Sequence, residues 1–369
     1  MSNENDSILS FSTVEELNNI KPEWDKLYQL SELHSHYLTF EFVQLWYNCF
    51  ATPEQIRIYR IKDNNATIGL LPLILTNLNG MRTLSSLTNF HCMHCGPLVK
   101  KGCEAVFRTT LLKELFKNSP YWDILKYASS YDFDRFPGLF SAELLNSGKK
   151  LWFRNSQPTY TTPLNLSFEV WAKEFLSKNT YQAYRNLRNK YNKSGAWSLQ
   201  QFRGQDALDK WDIFLELENS GWKGEGESSI KTLPDNYRRY YQGLITQLAN
   251  KDQLWISLLF FENQYIAGAF IFSEDEIIHV FKTAYNEEFK QFSPSNMLLL
   301  ENIRILGEQP DAPKILHMFP NDYGYKGRYL KKDYQCHYTE FYNSTLRGNI
   351  AYMLRKLKIL IKSRLLKIT

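Results

Sequence analysis

Carboxylates stand at two places where this chain could form a reactive pocket. Glu218 lies at the predicted end of a helix, just before the glycine-rich segment Gly221–Gly226, and Asp322 follows a predicted strand. A carboxylate so placed can take a proton from an amine or hydroxyl that attacks a carbonyl carbon. Glu218 is equally well explained as a solvated helix residue. Glu225 and Glu227 flank a glycine and fit solvated loop positions better.

Basic side chains could bind the negatively charged groups of the reactants. Lys223 and Lys282 could hold an anionic acceptor or a phosphate, and Lys282 lies on a predicted strand beside Phe281 and Tyr285. A lysine on such a strand is harder to explain as simple solvation than one on a helix surface. Trp222 and Tyr285 border these lysines in sequence and are expected to line the acceptor site.

A predicted helix over 181–193 carries four further basic residues, among them Arg185 and Arg188. A solvated face is the commoner explanation of such a charge run. The alternative is a cationic wall for an anionic acceptor such as a nucleotide-sugar, since guanidinium groups bind phosphate in two-pronged fashion.

The sequence Ser293-Pro294-Ser295-Asn296 opens another predicted helix. Serine as the cap and proline at the first helical position both favour a helix start. The first N–H groups of a helix and its dipole together favour an anion at that end. We therefore expect Ser293, Ser295 and Asn296 to bind a phosphate, although every helix needs a cap whatever its function.

These residues are spread over the second half of the chain, whose elements follow a clear order. Apolar periodicity predicts helices near 168–176, 180–193, 207–219 and 234–249, then strands at 254–261, 265–272 and 277–284. A helix from Ser293 to Leu306 and a strand at 314–319 come next, with a last strand near 335–342. The predicted meander, helix and strand would bring the candidate residues to one sheet.

The first half shows the same order. Helices near 24–30 and 39–50 precede a predicted hairpin (56–62 and 67–75), a strand at 82–87, a helix at 104–117 and a strand at 122–127. A further short strand is predicted at 151–155. We interpret the pattern as two related α/β (α+β) domains, 1–160 and 161–345, each a mixed, mostly antiparallel sheet flanked by helices. A single extended α/β domain is the alternative.

Four short blocks carry a resemblance to a known family. They are Glu218–Gly224, Phe281–Glu287, Ser293–Leu299 and Asn321–Lys326. In order and spacing they resemble the GNAT-superfamily acyltransferases of the CelD/BcsL type, relatives of the FemAB-like group. Residues 20–342 are similar to that family as a whole, and members often have glycine where this chain has Ser295.

The resemblance implies two tandem GNAT-like domains, of which the first is taken as degenerate. It also implies acetyl-CoA or another acyl-CoA as co-substrate, lying between the strands at 277–284 and 314–319. Its pyrophosphate would lie on the helix at Ser295, with Lys282 nearby. The family's use of tyrosine implies Tyr325 as proton donor to the leaving thiolate, beside Glu218 or Asp322 as base.

The function implied is transfer of an acetyl or related acyl group to an amine or hydroxyl. The acceptor implied is a sugar, nucleotide-sugar or other bacterial surface-polysaccharide precursor. Aminoacyl transfer from aminoacyl-tRNA is one alternative, and a catalytically degenerate GNAT-like binding module is another. The sequence shows no long charged helical hairpin of the kind that the FemAB-like group often carries, and its body is not basic. Both observations argue against the tRNA alternative.

Composition excludes several other classes. The chain is 43% hydrophobic with 15% aromatic residues, which is ample for large cores. The net charge of +5 is more than accounted for by seven basic residues within 346–369, so the body is not a basic nucleic-acid-binding surface. Five cysteines indicate reduced thiols rather than a disulfide framework. His91-Cys92-Met93-His94-Cys95 lacks a second ligand pair nearby, so no metal is expected.

The segment 346–369 has apolar residues at helical spacing with basic residues between them and no acidic ones. This predicts a basic amphipathic helix. It suits an anionic membrane surface or a partner groove, and equally an apolar stripe docked on the body. Met1–Ser10 lacks the features of a signal peptide and no apolar run is long enough to span a bilayer. We expect a cytosolic protein, peripheral at the inner face of the membrane if the segment binds lipid.

Overall fold

The computed structural model describes residues 7–89, 91–92, 95–116, 121–129, 151–221, 224, 226, 228–309, 313–320 and 326–365. The chain divides into two compact units. Unit 1 comprises Met1–Gln157 with Gln335–Thr369, and unit 2 comprises Pro158–Tyr334. The division falls close to residue 160, and the residues after 335 group with unit 1.

Unit 1 begins with helices and continues into a strand meander. Its helices are α1 (Val14–Leu17), α2 (Lys21–Leu30), α3 (Phe40–Phe50) and α4 (Glu104–Leu115). Its first strands are β1 (Ile8–Leu9), β2 (Ile56–Asp63), β3 (Ala66–Leu78), β4 (Met81–Ser86), β5 (Leu98–Val99) and β6 (Ile124–Ser129). Strands β2, β3 and β4 pair antiparallel, whereas β4 and β6 pair parallel with α4 between them in the chain.

The core of unit 1 lies where α4 crosses this sheet. Phe107 of α4 is fully buried against Gly69 of β3, where an added Cβ would lie 2.2 Å from the phenyl ring. Only glycine therefore lets the helix approach the strand this closely. Trp122 and Leu125 complete the same apolar cluster.

Unit 2 repeats the arrangement of a meander, a helix and a further strand. Two strands cross the division between the units, β7 (Leu151–Pro163) and β13 (Lys331–Tyr342). The helices of unit 2 are α5 (Phe168–Phe175), α6 (Lys178–Ser194), α7 (Gly204–Leu208), α8 (Trp211–Asn219), α9 (Asp235–Asn250) and α10 (Pro294–Gly307). Its remaining strands are β8 (Trp197–Arg203), β9 (Leu254–Phe261), β10 (Gln264–Glu274), β11 (Ile277–Tyr285) and β12 (Ile315–Met318).

The sheet of unit 2 has the same sequence of pairings as that of unit 1. Strands β8 to β11 form an antiparallel meander, β11 pairs parallel with β12, and β12 pairs antiparallel with the end of β7. Helix α10 connects β11 to β12 and buries Met297, Leu298 and Ile303 in the main core of the unit. The predicted fold class, two mixed α/β units with helices flanking each sheet, is confirmed.

The structure differs from the expected elements in several places. Strand β8 was not anticipated, because its sequence lacks a regular alternation of apolar and polar residues. In the structure, residues on both of its faces are half-buried. The helix expected over 207–219 is interrupted after Leu208, and α8 restarts at Trp211. The last strand, β13, was expected in the second domain, but its residues 337–342 pair antiparallel with β6 of unit 1.

The chain ends, in its described part, with helix α11 (Leu346–Leu365) on unit 1. Thr345 caps it, since its hydroxyl accepts the Gly348 N–H at 2.9 Å and donates to Asp123 Oδ1 at 2.8 Å. Asp123 is fully buried and also accepts from the backbone and guanidinium of Arg82. Asp123 thus ties β4, β6 and α11 together. No helix in the described part of the chain is long and apolar enough to cross a membrane.

Asp123 makes the stability of unit 1 dependent on pH. Burial opposes its ionisation, but the hydrogen bonds from Arg82 and Thr345 outweigh burial and lower its pKa from 3.8 to about 2. A depressed carboxyl pKa contributes stability above the unfolded value near 3.8, and that contribution is lost as the pH falls through 2. Asp123→Asn should therefore cost about 2 kcal/mol near neutral pH, with a smaller cost towards pH 2.

Urea unfolding of wild type and Asp123→Asn between neutral pH and pH 2 would measure this difference. Asp25→Asn is the matched control, because Asp25 pairs with Lys21 at the surface and its side chain is 48% exposed. A cost at Asp123 that does not change with pH would contradict the assignment.

Candidate functional site

The parallel pair β11–β12 is short and opens at one end. Pairing runs from Ile277–Ile315 to Val280–Met318, and β11 continues to Tyr285. The register of β11 with β10 shifts at this point, so that Phe281 is an extra residue between Val280 and Lys282. A bulge bends its strand. Beyond Val280, β11 has no pairing with β12 among the residues that the structure describes.

Helix α10 begins beside this opening. Ser293 occupies the position before the helix and Pro294 the first helical position, as predicted, but Ser293 has a left-handed backbone (φ 44°, ψ 54°). Its side chain makes no capping hydrogen bond, because a capping serine needs an extended backbone and Ser293 also ends the 3₁₀ turn Glu287–Phe292. Pro294 has no N–H, so the N–H of the half-buried Ser295 is the first that the helix presents.

A cavity of about 400 Å³ lies between α6 and the start of α10. Polar groups line it from three sides: Thr180, Asn186 and Lys190 from α6, Ser293 and Asn296 from α10, and Tyr329. The Lys190 ammonium lies 2.8 Å from the Gln291 carbonyl oxygen, to which it donates, and 4.6 Å from the centre of the Phe292 ring. The cavity thus has a helix N-terminus and a fixed cation in its wall, a combination that favours an anion.

A buried carboxylate joins the two helices that form this cavity. Glu301 of α10 is fully buried, and its oxygens receive the Tyr184 hydroxyl at 2.5 Å and the Arg304 guanidinium at 2.7 Å. Arg188 of α6 lies 3.2 Å from the same carboxylate. Burial, reinforced by the hydrogen bond to Glu301, raises the pKa of Tyr184 well above its usual value. Arg188 therefore links α6 to α10, and the predicted cationic wall is reduced to the exposed Arg185, Lys190 and Lys193.

Glu218 and Lys282 form an ion pair beside the same bulge. Glu218 Oε1 accepts from the Lys282 ammonium at 2.7 Å, and Oε2 accepts from the Ile230 N–H at 2.9 Å. The Glu218 side chain is fully buried and that of Lys282 is 15% exposed. The ammonium also lies 5.5 Å from the centre of the Tyr241 ring on α9.

The structure thus groups the predicted site residues in two sets. Lys282 lies with Glu218 against α8 and α9, and Ser293 and Asn296 line the cavity against α6. Tyr285 is half-buried, and burial together with its bond to Glu287 raises its pKa. Gly221 is buried beside Tyr285, and a Cβ added at Gly221 would lie 3.5 Å from the Tyr285 carbonyl oxygen. Six of the predicted residues lie outside the described residues: Trp222, Lys223, Glu225, Glu227, Asp322 and Tyr325.

Two buried histidines were not singled out from the sequence. His279 of β11 and His317 of β12 are register partners, and their Nδ1 atoms lie 2.9 Å apart. Each interrupts an otherwise apolar strand run, which is the signal that could have identified them. His279 stacks on Phe272 and lies 3.5 Å from the Glu274 carboxylate. The described residues contain no group of three or more His, Cys, Asp or Glu side chains that could hold a metal ion.

Comparison with known proteins supports an acetyltransferase-type unit 2. Residues 178–327 match the family model of the acetyltransferase (GNAT) domain. No curated protein matches the sequence.

Two solved structures resemble the chain over nearly their whole length. FemX has 11% sequence identity, with 86% of this chain and 95% of FemX covered at a TM-score of 0.54. A Bacteroides thetaiotaomicron protein of unknown function has 12% identity, with 87% and 97% covered at a TM-score of 0.52.

The C-terminal domain of a candidate lysylphosphatidylglycerol synthetase from Agrobacterium fabrum has 9% identity, with 90% of this chain and 94% of that domain covered at a TM-score of 0.51. At these identities the likeness concerns the fold alone. Residues 178–327 thus match a GNAT-domain model, within a chain whose fold resembles that of FemX.

Proposed function

We propose that this protein transfers an acetyl or related acyl group from acyl-CoA to an amine or hydroxyl acceptor. The observation that carries the proposal is the opening between β11 and β12 beside the start of α10, inside the segment that matches the GNAT domain. The cavity between α6 and α10 offers a helix N-terminus, Asn296 and Lys190, which would suit a pyrophosphate. The edge of β11 beyond Val280 would offer backbone groups to the rest of an extended donor.

The acceptor would meet the thioester at the bulge of β11. Attack of the amine or hydroxyl on the thioester carbonyl forms the new C–N or C–O bond. The C–S bond then breaks, and the thiolate leaves and takes up a proton. We assign Glu218 to positioning Lys282 rather than to proton abstraction, because hydrogen bonds already engage both of its oxygens. Lys282 would then hold an anionic group or the developing oxyanion, and Asp322 and Tyr325 stay our proposals for base and acid.

We propose a sugar, nucleotide-sugar or other surface-polysaccharide precursor as the acceptor. Aminoacyl transfer, which would use the same attack on an ester, is the alternative, and a binding module without catalysis is the third possibility. Binding of the donor separates them, because only the first requires an acyl-CoA site.

Calorimetric titration of acetyl-CoA into the full chain is the first test. We expect saturable binding, with acetyl-pantetheine at least about tenfold weaker because it lacks the phosphates that the α10 terminus would bind. Release of free CoA thiol in the presence of an amino sugar would then report turnover. If neither acetyl-CoA nor a longer acyl-CoA binds, the proposed function is wrong.

A further inference from the structure

Helix α11 docks on unit 1 through its small and polar side. Gly348 approaches so closely that an added Cβ would lie 2.2 Å from the Asn343 carbonyl oxygen, and Ala351 is 9% exposed. One turn on, the Tyr352 ring packs edge-on against Tyr342 at 5.7 Å, and Arg355 Nε pairs with Glu340 at 2.9 Å. Positions 348, 351, 352 and 355 share one side of the helix.

The apolar side of α11 points away from this docked side. At 3.6 residues per turn, the apolar residues fall on one stripe opposite Gly348 and Arg355. Their exposed fractions range from 46% to 77% for Leu346, Ile350, Met353, Leu354, Leu357, Leu360 and Ile361. The expected alternative, an apolar stripe docked on the body, is therefore wrong for these described residues. An exposed stripe of this size on one helix indicates a binding surface.

The charge around the stripe indicates the partner. Arg347 and Lys358 lie along one border of the stripe and Lys356 along the other, and 346–369 contains seven basic residues and no acidic one. Long basic side chains can reach lipid phosphates while their methylene stems lie along apolar surface. An apolar stripe with basic borders matches an anionic bilayer surface, where both features contribute to binding.

We propose that α11 binds the surface of an anionic lipid bilayer, with Met353, Leu354 and Leu357 entering the headgroup–acyl boundary. Its docked side stays on unit 1, so binding requires no unfolding of the helix. This inference does not depend on the proposed acyl transfer. It would hold the protein beside a membrane whatever its acceptor is.

Vesicle co-sedimentation of the full chain tests the proposal. Wild type should bind vesicles of phosphatidylcholine mixed with phosphatidylglycerol, bind pure phosphatidylcholine at least about tenfold more weakly, and lose affinity as NaCl is raised. The double variant Leu354→Ser/Leu357→Ser should weaken binding by about tenfold or more. Its matched control is Val106→Ser/Val170→Ser, two helix residues with 48% and 50% exposure elsewhere, which should bind like wild type.

A second pair of variants separates charge from apolar burial. Lys356→Glu/Lys358→Glu should weaken binding to the anionic vesicles by at least about tenfold, and the equally exposed Lys173→Glu/Lys251→Glu should not. All four variants change exposed side chains and should keep the wild-type thermal unfolding temperature. Absence of wild-type binding to anionic vesicles, or equal loss in the control variants, would overturn the proposal. So would a stable dimer in light scattering that Leu354→Ser/Leu357→Ser dissociates, since a second copy would then cover the stripe.

Discussion

Lys282→Met is expected to lower the free energy of unfolding of unit 2 by about 3 kcal/mol, more than a typical change at a partly exposed lysine. The reason is its partner. Glu218 is fully buried and gives one carboxylate oxygen to the Lys282 ammonium at 2.7 Å. Methionine keeps much of the stem's volume but removes the positive charge, so that the buried carboxylate loses the ammonium that lies 2.7 Å from it. Thermal and urea unfolding would measure the loss.

The other two variants of this pair should lose different amounts of stability. Glu218→Gln retains an acceptor for the Ile230 N–H, and the Lys282 side chain is 15% exposed, so its ammonium can be solvated. Glu218→Gln should therefore lower the free energy of unfolding by about 1 to 2 kcal/mol. The double variant Glu218→Gln/Lys282→Met should be more stable than Lys282→Met alone, because it no longer buries a carboxylate charge. Equal stability of those two variants would refute a strong coupling between the pair.

The same variants separate the role of Lys282 from that of Glu218 in acyl transfer. If Glu218 only positions the lysine, Glu218→Gln should retain part of the activity while Lys282→Met loses nearly all of it. If Glu218 is the base, the two losses should be similar. Acetyl-CoA affinity should change little in either variant, since the cavity at α10 is lined by other residues.

Much of the sheet in unit 2 could be predicted because local signals agree. The turns at Glu262 and Asp275 both use left-handed backbone, and they delimit β9, β10 and β11 nearly where apolar runs begin and end. The helix start at Pro294 was equally clear. These features depend on neighbours in sequence, so a single chain is enough to identify them.

Features that depend on distant pairing could not be predicted in the same way. Strand β7 was expected to end at residue 155, because Pro158 and Pro163 suggested a boundary, yet it extends to Pro163 and pairs with β12. Proline can end a strand or lie where no ladder donor is needed. The partner of β13 could not be predicted either, because the pairing joins residues that are far apart in the chain, such as Phe341 and Leu125.

The candidate site shows the same limit. Glu218 and Lys282 were each singled out from the sequence, for a base and for an anion site, but their pairing joins residues 64 positions apart. Arg188 was one candidate for an acceptor contact, but it pairs with Glu301 of α10. A sequence indicates which side chains could do chemistry. Burial and the nearest opposite charge decide which of them stay available for it.

Asn296→Asp is expected to weaken acyl-CoA binding strongly while leaving unit 2 as stable as before, or slightly more stable. Asn296 is the third residue of α10 and lines the cavity. An aspartate in the first turn interacts favourably with the helix dipole, by about 0.3 to 1 kcal/mol. The same charge would face the phosphates that we propose bind there. Repulsion between charges a few ångströms apart near a protein surface is worth several kcal/mol.

Calorimetry with acetyl-CoA should therefore give an affinity at least about thirtyfold lower, which corresponds to about 2 kcal/mol. Asn236→Asp is the matched control, because it makes the same change in the first turn of α9, whose residues do not line the cavity. It should share the favourable dipole effect and bind acetyl-CoA like wild type. Opposite signs for stability and affinity at Asn296 identify an anion site, since a merely structural role would move both downward. Unchanged affinity in Asn296→Asp would remove the donor phosphates from the α10 terminus and require another place for them along the β11–β12 opening.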